Sequence, residues 1–140
     1  MKNSANRFSS SGEQLFYATT FHGLEPLLKS EIVAAGGKPL YGEKGIVSFN
    51  ATLANVIHLN YISRVANKFV LILARRDRCT TFDELYKIAV DIPWPELFTY
   101  HKTFAVESSL TCSVLDHSVF ASQKTKDAIV DRFVREHGKR

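Results

Sequence analysis

Apolar residues along this chain change period several times, and each change marks an element. Residues 15–19 fit a short strand, and 20–23 read as a turn. Leu24, Leu27, Leu28, Ile32 and Ala35 then recur at helical spacing. Pro26 falls in the first turn, where its missing N–H costs nothing, and Gly36 and Gly37 end the helix. Lys38–Glu43 and residues 45–49 read as two strands around a Lys44, Gly45 turn. Thr52 is placed to cap a second helix, with Leu53, Val56, Ile57 and Tyr61 as its buried face. Residues 69–74 are continuously apolar, which predicts a strand covered on both sides. The resulting order is strand, helix, strand, strand, helix, strand, which is the split βαβ, or ferredoxin-like, arrangement.

A second unit begins near Cys79. Thr81 and Glu84 have capping-box spacing and predict a helix over 81–91, which Pro93 and Pro95 stop. Trp94, between the prolines, reads as an anchor packed on the core. Residues 104–110 form a β-prone run with a polar side, and 113–118 a polar turn. A long helix follows over 118–136, with Asp116 or Ser118 able to cap it. Its wheel places Val119, Ile129, Val130, Phe133 and Val134 on one face, and Lys124, Asp131, Arg132 and Arg135 on the other. One strand and two helices cannot bury each other's apolar faces without further strands. The expectation is therefore an α+β chain: a disordered tail over 1–13, a ferredoxin-like domain over 14–74, and an incomplete α/β unit over 75–140.

Composition narrows the function classes. A 45% hydrophobic content over 140 residues suffices for a core. The longest apolar run is far short of the roughly 20 residues a membrane span needs, and no apolar block follows the first basic residues, so no membrane partner and a cytoplasmic location are expected. Cys79 and Cys112 lie outside any CxxC pair and suit a reducing compartment. Net charge is +4, which permits a polyanionic partner. Its distribution is uneven: residues 1–60 hold 5 Lys or Arg against 4 Asp or Glu, and residues 61–140 hold 13 against 10.

The candidate contacts lie in that second half. Arg75, Arg76 and Arg78, interrupted only by Asp77, form the densest basic cluster and could face phosphates or simply be solvated. The start of the long helix at Ser118 offers unpaired N–H groups to an anion, with Lys124 and Lys126 within two turns. Lys126 falls inside the apolar stripe, so its ammonium must snorkel past the edge or meet an anion. Much of the outer face could be ordinary i, i+4 pairing, Asp131 with Arg135 and Arg132 with Glu136. His22, His58, His101, His117 and His137 are scattered without metal-site spacing, so no metal ligands are assigned. No nucleophile motif and no glycine-rich loop of the GxGxxG or GxxxxGKS type occurs, so no catalytic residues are assigned.

The runs LFYATTFHGLEPLLKSEI, GIVSF, SRVANKFVLIL, FDELY and TFAV, together with Trp94 and KTKDAIVDRF, resemble the N-terminal region of the bacterial large-subunit ribosomal RNA guanine-N2-methyltransferases. The likeness covers residues 14–140, and its most specific part is Lys124, Lys126, Asp127, Ala128, Ile129, Asp131, Arg132 and Phe133. In that family a ferredoxin-like domain precedes a THUMP domain, an RNA-binding module, and an S-adenosylmethionine-dependent methyltransferase domain follows. The resemblance implies that residues 75–140 are a THUMP domain whose C-terminal strands are missing. It also implies an RNA partner, ribosomal RNA in the first place, and a methyltransferase domain in cis or trans that carries the cofactor. The family's Asn/Asp-Pro-Pro-aromatic catalytic motif is absent here, so this stretch alone is not expected to transfer a methyl group.

The leading expectation is an RNA-binding module that positions structured RNA through Lys124, Lys126, Arg132, Arg75, Arg76, Arg78 and the Ser118 helix start. A rival is a protein-interaction module that uses an open sheet edge. A third, an acylphosphatase-type hydrolase, needs an anion-binding Arg after the first strand, and residues 20–24 contain none.

Overall fold

The structure, a computed structural model, describes residues 12–111 and 114–138. The expected tail, apart from its last two residues, lies outside the described residues, as do Cys112 and Ser113 of the polar turn. The chain divides into two compact units, Met1–Leu73 and Ala74–Arg140.

The first unit runs β1 (Gln14–Thr19), α1 (Glu25–Ala34), β2 (Lys38–Glu43), β3 (Ile46–Ala51), α2 (Leu53–Ile62) and β4 (Lys68–Leu71). The strands form one antiparallel sheet in the order β2-β3-β1-β4. This is the ferredoxin-like order, with β1 central because both crossovers return beside it. In register, Phe16 faces Phe49 and Leu71, while Ala18 faces Val47 and Phe69. Alternation therefore sends all six to one side of the sheet. There they meet Leu28 and Ile32 of α1 and Val56 and Leu59 of α2. The Phe16 and Phe49 rings stack at 5.9 Å, and Phe69 meets Phe49 edge-on.

Local chemistry fixes the ends of these elements. Thr52 caps α2 by accepting from the Asn55 N–H at 3.2 Å. Gly36 stops α1 at φ +86°, a conformation that β-carbon sterics deny most residues. Gly45 sits in the β2–β3 turn at φ +73°, and a β-carbon there would lie 2.9 Å from the Thr20 carbonyl. Gly45 is thus part of the turn, and β3 starts at Ile46 and runs on to Ala51, two residues past its expected end.

Three expectations need correction. Leu53, Ile57 and Tyr61 were placed on the buried face of the second helix, but all are exposed, Ile57 at 63% and Tyr61 at 91%. α2 meets the sheet through Val56 and Leu59 instead. β4 is shorter than residues 69–74 and is an edge strand with half-buried side chains. Among the described residues β1 is its one strand partner.

The second unit contains α3 (Phe82–Val90), α4 (Trp94–Leu97) and α5 (Ser118–His137). The Thr81 capping box forms in full: the Thr81 hydroxyl accepts from the Glu84 N–H, and the Glu84 carboxylate accepts from Thr80 and Thr81. Trp94 is an anchor, donating from its indole N–H to the Ala89 carbonyl at 2.7 Å. α3 packs on α5 through Ala89, Val90 and Ala128, with Tyr86 against them. Small residues let the helix backbones approach. Among the described residues of this unit no β-ladder is present, so the strand expected over 104–110 does not form. A strand exists only by pairing, and no described segment pairs with it.

Candidate nucleic-acid interface

The sequence-predicted contacts fall on different surfaces. Lys124 and Lys126 are two residues apart on α5, which turns them by about 200° around the helix. Lys124 is half-buried on the α3 side, with its ammonium 5.6 Å from the centre of the Phe120 ring. It shares a groove of about 450 Å³ with Tyr86, Asp127, Val130 and Asp131. The Tyr86 hydroxyl donates to the Asp131 carboxylate at 2.7 Å, and this bond pushes the phenol's pKa up. Two carboxylates thus line the same groove as the Lys124 ammonium.

Lys126 lies on the opposite side and is exposed. It borders a shallow groove of about 300 Å³ whose walls are Phe104, Ala105, Val106, Val119, Ser122 and Gln123. Its ammonium snorkels out at the groove's edge. Val119, expected in the core, is 70% exposed on the same wall. The contact that α5 makes with the interior runs through Ala121, Ala128, Ile129 and Phe133.

Arg132 is compensated, donating from Nε to the Glu136 carboxylate at 2.9 Å. Ser118 opens the helix, yet the residue in the N-cap position is His117, and no side chain caps the first turn. Asp116 was a candidate cap; its carboxylate instead lies 3.4 Å from His117 Nε2. The first N–H groups of α5 therefore have no side-chain cap. Arg75, Arg76 and Arg78 are all exposed, in a stretch without helix or strand that opens the second unit. These three share one short exposed segment, whereas Lys124, Lys126 and Arg132 lie on different parts of α5.

One cluster joins residues that look scattered in sequence. Residues 99–102 make a tight turn closed by the Lys102 N–H on the Thr99 carbonyl at 3.0 Å. Tyr100 and His101, its central residues, hold their rings 3.8 Å apart, and Tyr100 lies 5.6 Å from the ring of His137 at the end of α5. His137 stacks on Phe133 at 6.2 Å and 19°. The only local sign of it is the run Tyr100, His101, Lys102, aromatic and basic without an acid.

Among the described residues no three His, Cys, Asp or Glu side chains converge on a metal-sized site, and no helix is long and apolar enough to cross a membrane. The described sheet is wholly antiparallel, so it does not offer the parallel strand with a glycine-rich turn into a helix on which Rossmann-like domains hold S-adenosylmethionine.

Residues 15–69 match the family model of the RlmL ferredoxin-like domain, and residues 79–140 match that of the THUMP domain. The two matches together take in most of the chain and agree with a ferredoxin-like unit followed by a THUMP unit. Its ferredoxin-like unit and THUMP unit together are 35% identical over 118 residues to the ribosomal RNA large subunit methyltransferase K/L of Syntrophotalea carbinolica, covering 84% of this chain and 16% of the relative. The protein of the same description from Aliivibrio salmonicida is 38% identical over 123 residues, covering 86% of this chain and 17% of the relative. The chain thus spans about a sixth of the length of these curated relatives. The crystal structure of a predicted N6-adenine-specific DNA methylase from Listeria monocytogenes superposes with a TM-score of 0.84 at 26% identity, over 92% of this chain and 33% of that one.

Proposed function

We propose that this chain is the RNA-holding part of a ribosomal RNA methyltransferase. In this reading it positions structured RNA, ribosomal RNA in the first place, for an S-adenosylmethionine-dependent guanine-N2-methyltransferase domain in cis or in trans, in the cytoplasm. The match of residues 79–140 to a THUMP domain carries the reading. The names of the relatives supply the substrate class.

Arg75, Arg76 and Arg78 form the main phosphate contact, because all three are exposed within four residues of irregular chain. Lys126 is the principal helix contact, and the Ser118 helix start adds open N–H groups. Lys124 and Arg132 are secondary, since Asp127 and Asp131 line the Lys124 groove and Glu136 accepts from Arg132. Phosphate contacts set position and leave sequence unread.

The test is the affinity for a ribosomal RNA stem-loop as salt rises. Three phosphate contacts correspond to a log–log slope of about −2.7, or roughly a 40-fold loss between 50 and 200 mM salt. Reversing Arg75, Arg76 and Arg78 to Glu is expected to flatten that dependence and remove most of the affinity. An affinity indifferent to salt, or indifferent to the triple reversal, overturns the assignment.

A further inference from the structure

We propose that the 99–102 turn and the last turn of α5 form a stacking platform for an unpaired RNA base, with Tyr100 as its open ring. The inference rests on the RNA-binding reading and names the kind of nucleotide that reading leaves unspecified.

Tyr100 is 58% exposed although it is one of the larger side chains in the unit. Its ring is not loose. The turn hydrogen bond fixes its backbone, and His101 and His137 hold the ring from two directions. His137 is in turn carried on Phe133, which is buried and tilts against Phe98 at 5.2 Å. The exposed ring is therefore tied through a chain of rings to the interior, which lowers the ordering cost of stacking a ligand on it.

The surroundings favour a base over an aliphatic protein surface. The exposed neighbours of Tyr100 in this cluster are two imidazoles, followed in the turn by the ammonium of Lys102. Residues 97–106 contain no Asp or Glu, and Glu136, beside His137 in the chain, is engaged by Arg132. A π-face bordered by cationic and imidazole groups accepts any base, because every base has a π-face and a phosphate next to it. A base within a duplex is covered by its neighbours and cannot use such a platform. The ligand is thus a nucleotide in a loop, bulge or single-stranded end.

The deciding experiment uses the full chain and two RNA probes of equal length. One is a hairpin with 2-aminopurine in its loop, and the other is a blunt duplex. Wild-type protein is expected to bind the hairpin more tightly and to change the 2-aminopurine fluorescence. Tyr100→Ala should weaken hairpin binding by about tenfold, the order of one stacked base, and remove the fluorescence change. Tyr100→Phe should retain both, and duplex affinity should not move. A thermal melt of each variant checks folding; were Tyr100→Ala to melt early, His101→Ala, at an exposed position, takes its place with the same expectation in smaller degree. Unchanged hairpin binding and fluorescence with Tyr100→Ala, or an equal loss on hairpin and duplex, overturns the platform while the Arg75, Arg76 and Arg78 contact still stands. If wild-type protein binds neither probe in a salt-dependent way, the RNA reading itself fails and the platform with it.

Discussion

Glu25 carries more of the ferredoxin-like unit than its place at a helix start suggests. Its carboxylate accepts from the Gly45 N–H and the Gly23 N–H, each at 2.7 Å, and lies 3.2 Å from His22 Nδ1. One side chain therefore ties the β2–β3 turn to the loop between β1 and α1. The Gly45 N–H, with the residue's own N–H next and smaller help from His22 and Gly23, holds the carboxyl down to about 2. A carboxyl whose pKa is lowered by folding stabilises the fold fully above the pKa of the unfolded chain, about 4.3 for Glu. That contribution drains away as pH falls from there toward 2. Urea midpoints measured from pH 6 down to pH 2 should show wild-type protein losing stability through this window. Glu25→Gln should start lower at pH 6 and fall less steeply. Parallel curves for the two proteins would show that Glu25 does not carry the pH dependence.

Helix faces, rather than helix positions, are where pattern reading and structure part. In α2, Leu53, Ala54, Val56, Ile57, Leu59, Tyr61 and Ile62 are apolar and none of the ten residues is charged. A helix apolar nearly all round has an ill-defined phase, so the sheet chooses the face. It takes Val56 and Leu59 and leaves Ile57 and Tyr61 to solvent. Leu59→Ala should therefore cost about 2–5 kcal/mol, the range for truncating a buried leucine. Ile57→Ala should stay within about 0.5 kcal/mol, as surface changes do. Denaturation midpoints of the two variants decide the face directly, and equal losses would reverse it. In α5 the confusion has another source. Val119 weighs heavily in a hydrophobic stripe and Ala121 and Ala128 hardly at all, yet the alanines are buried because close contact requires small side chains. Lys126 looked misplaced only against that stripe; on the observed face it is exposed. By contrast the sheet order, the Thr81 capping box and the Trp94 anchor were legible, since each rests on a local signal with one physical reading. The Tyr100, His101 and His137 cluster was not, because its members meet only through the fold.

At the scale of the molecule, the distribution of charge and the share of each relative that is matched bear on the same question. The chain spans about a sixth of the relatives it matches. In the proposed role its binding energy goes into holding RNA in place for chemistry carried out by another domain. Detached from that domain, the chain should still occupy the same RNA, and it loses only the gain that linkage gives to a second binding event. Added to a methylation assay with a full-length relative and a ribosomal RNA fragment, it should therefore act as a competitor for the substrate. The apparent KM for RNA should rise in proportion to added chain while kcat stays constant, because the relative's own catalytic domain is untouched. The Arg75, Arg76 and Arg78 reversal should not compete, and raising the salt should weaken inhibition as it weakens binding. A fall in kcat at constant KM would instead place the chain on the enzyme itself, which is what docking through an exposed apolar face such as that of α2 would do. Absence of inhibition at concentrations where the chain saturates the RNA would mean that it holds the RNA at a place the enzyme does not use, and the positioning role would fall.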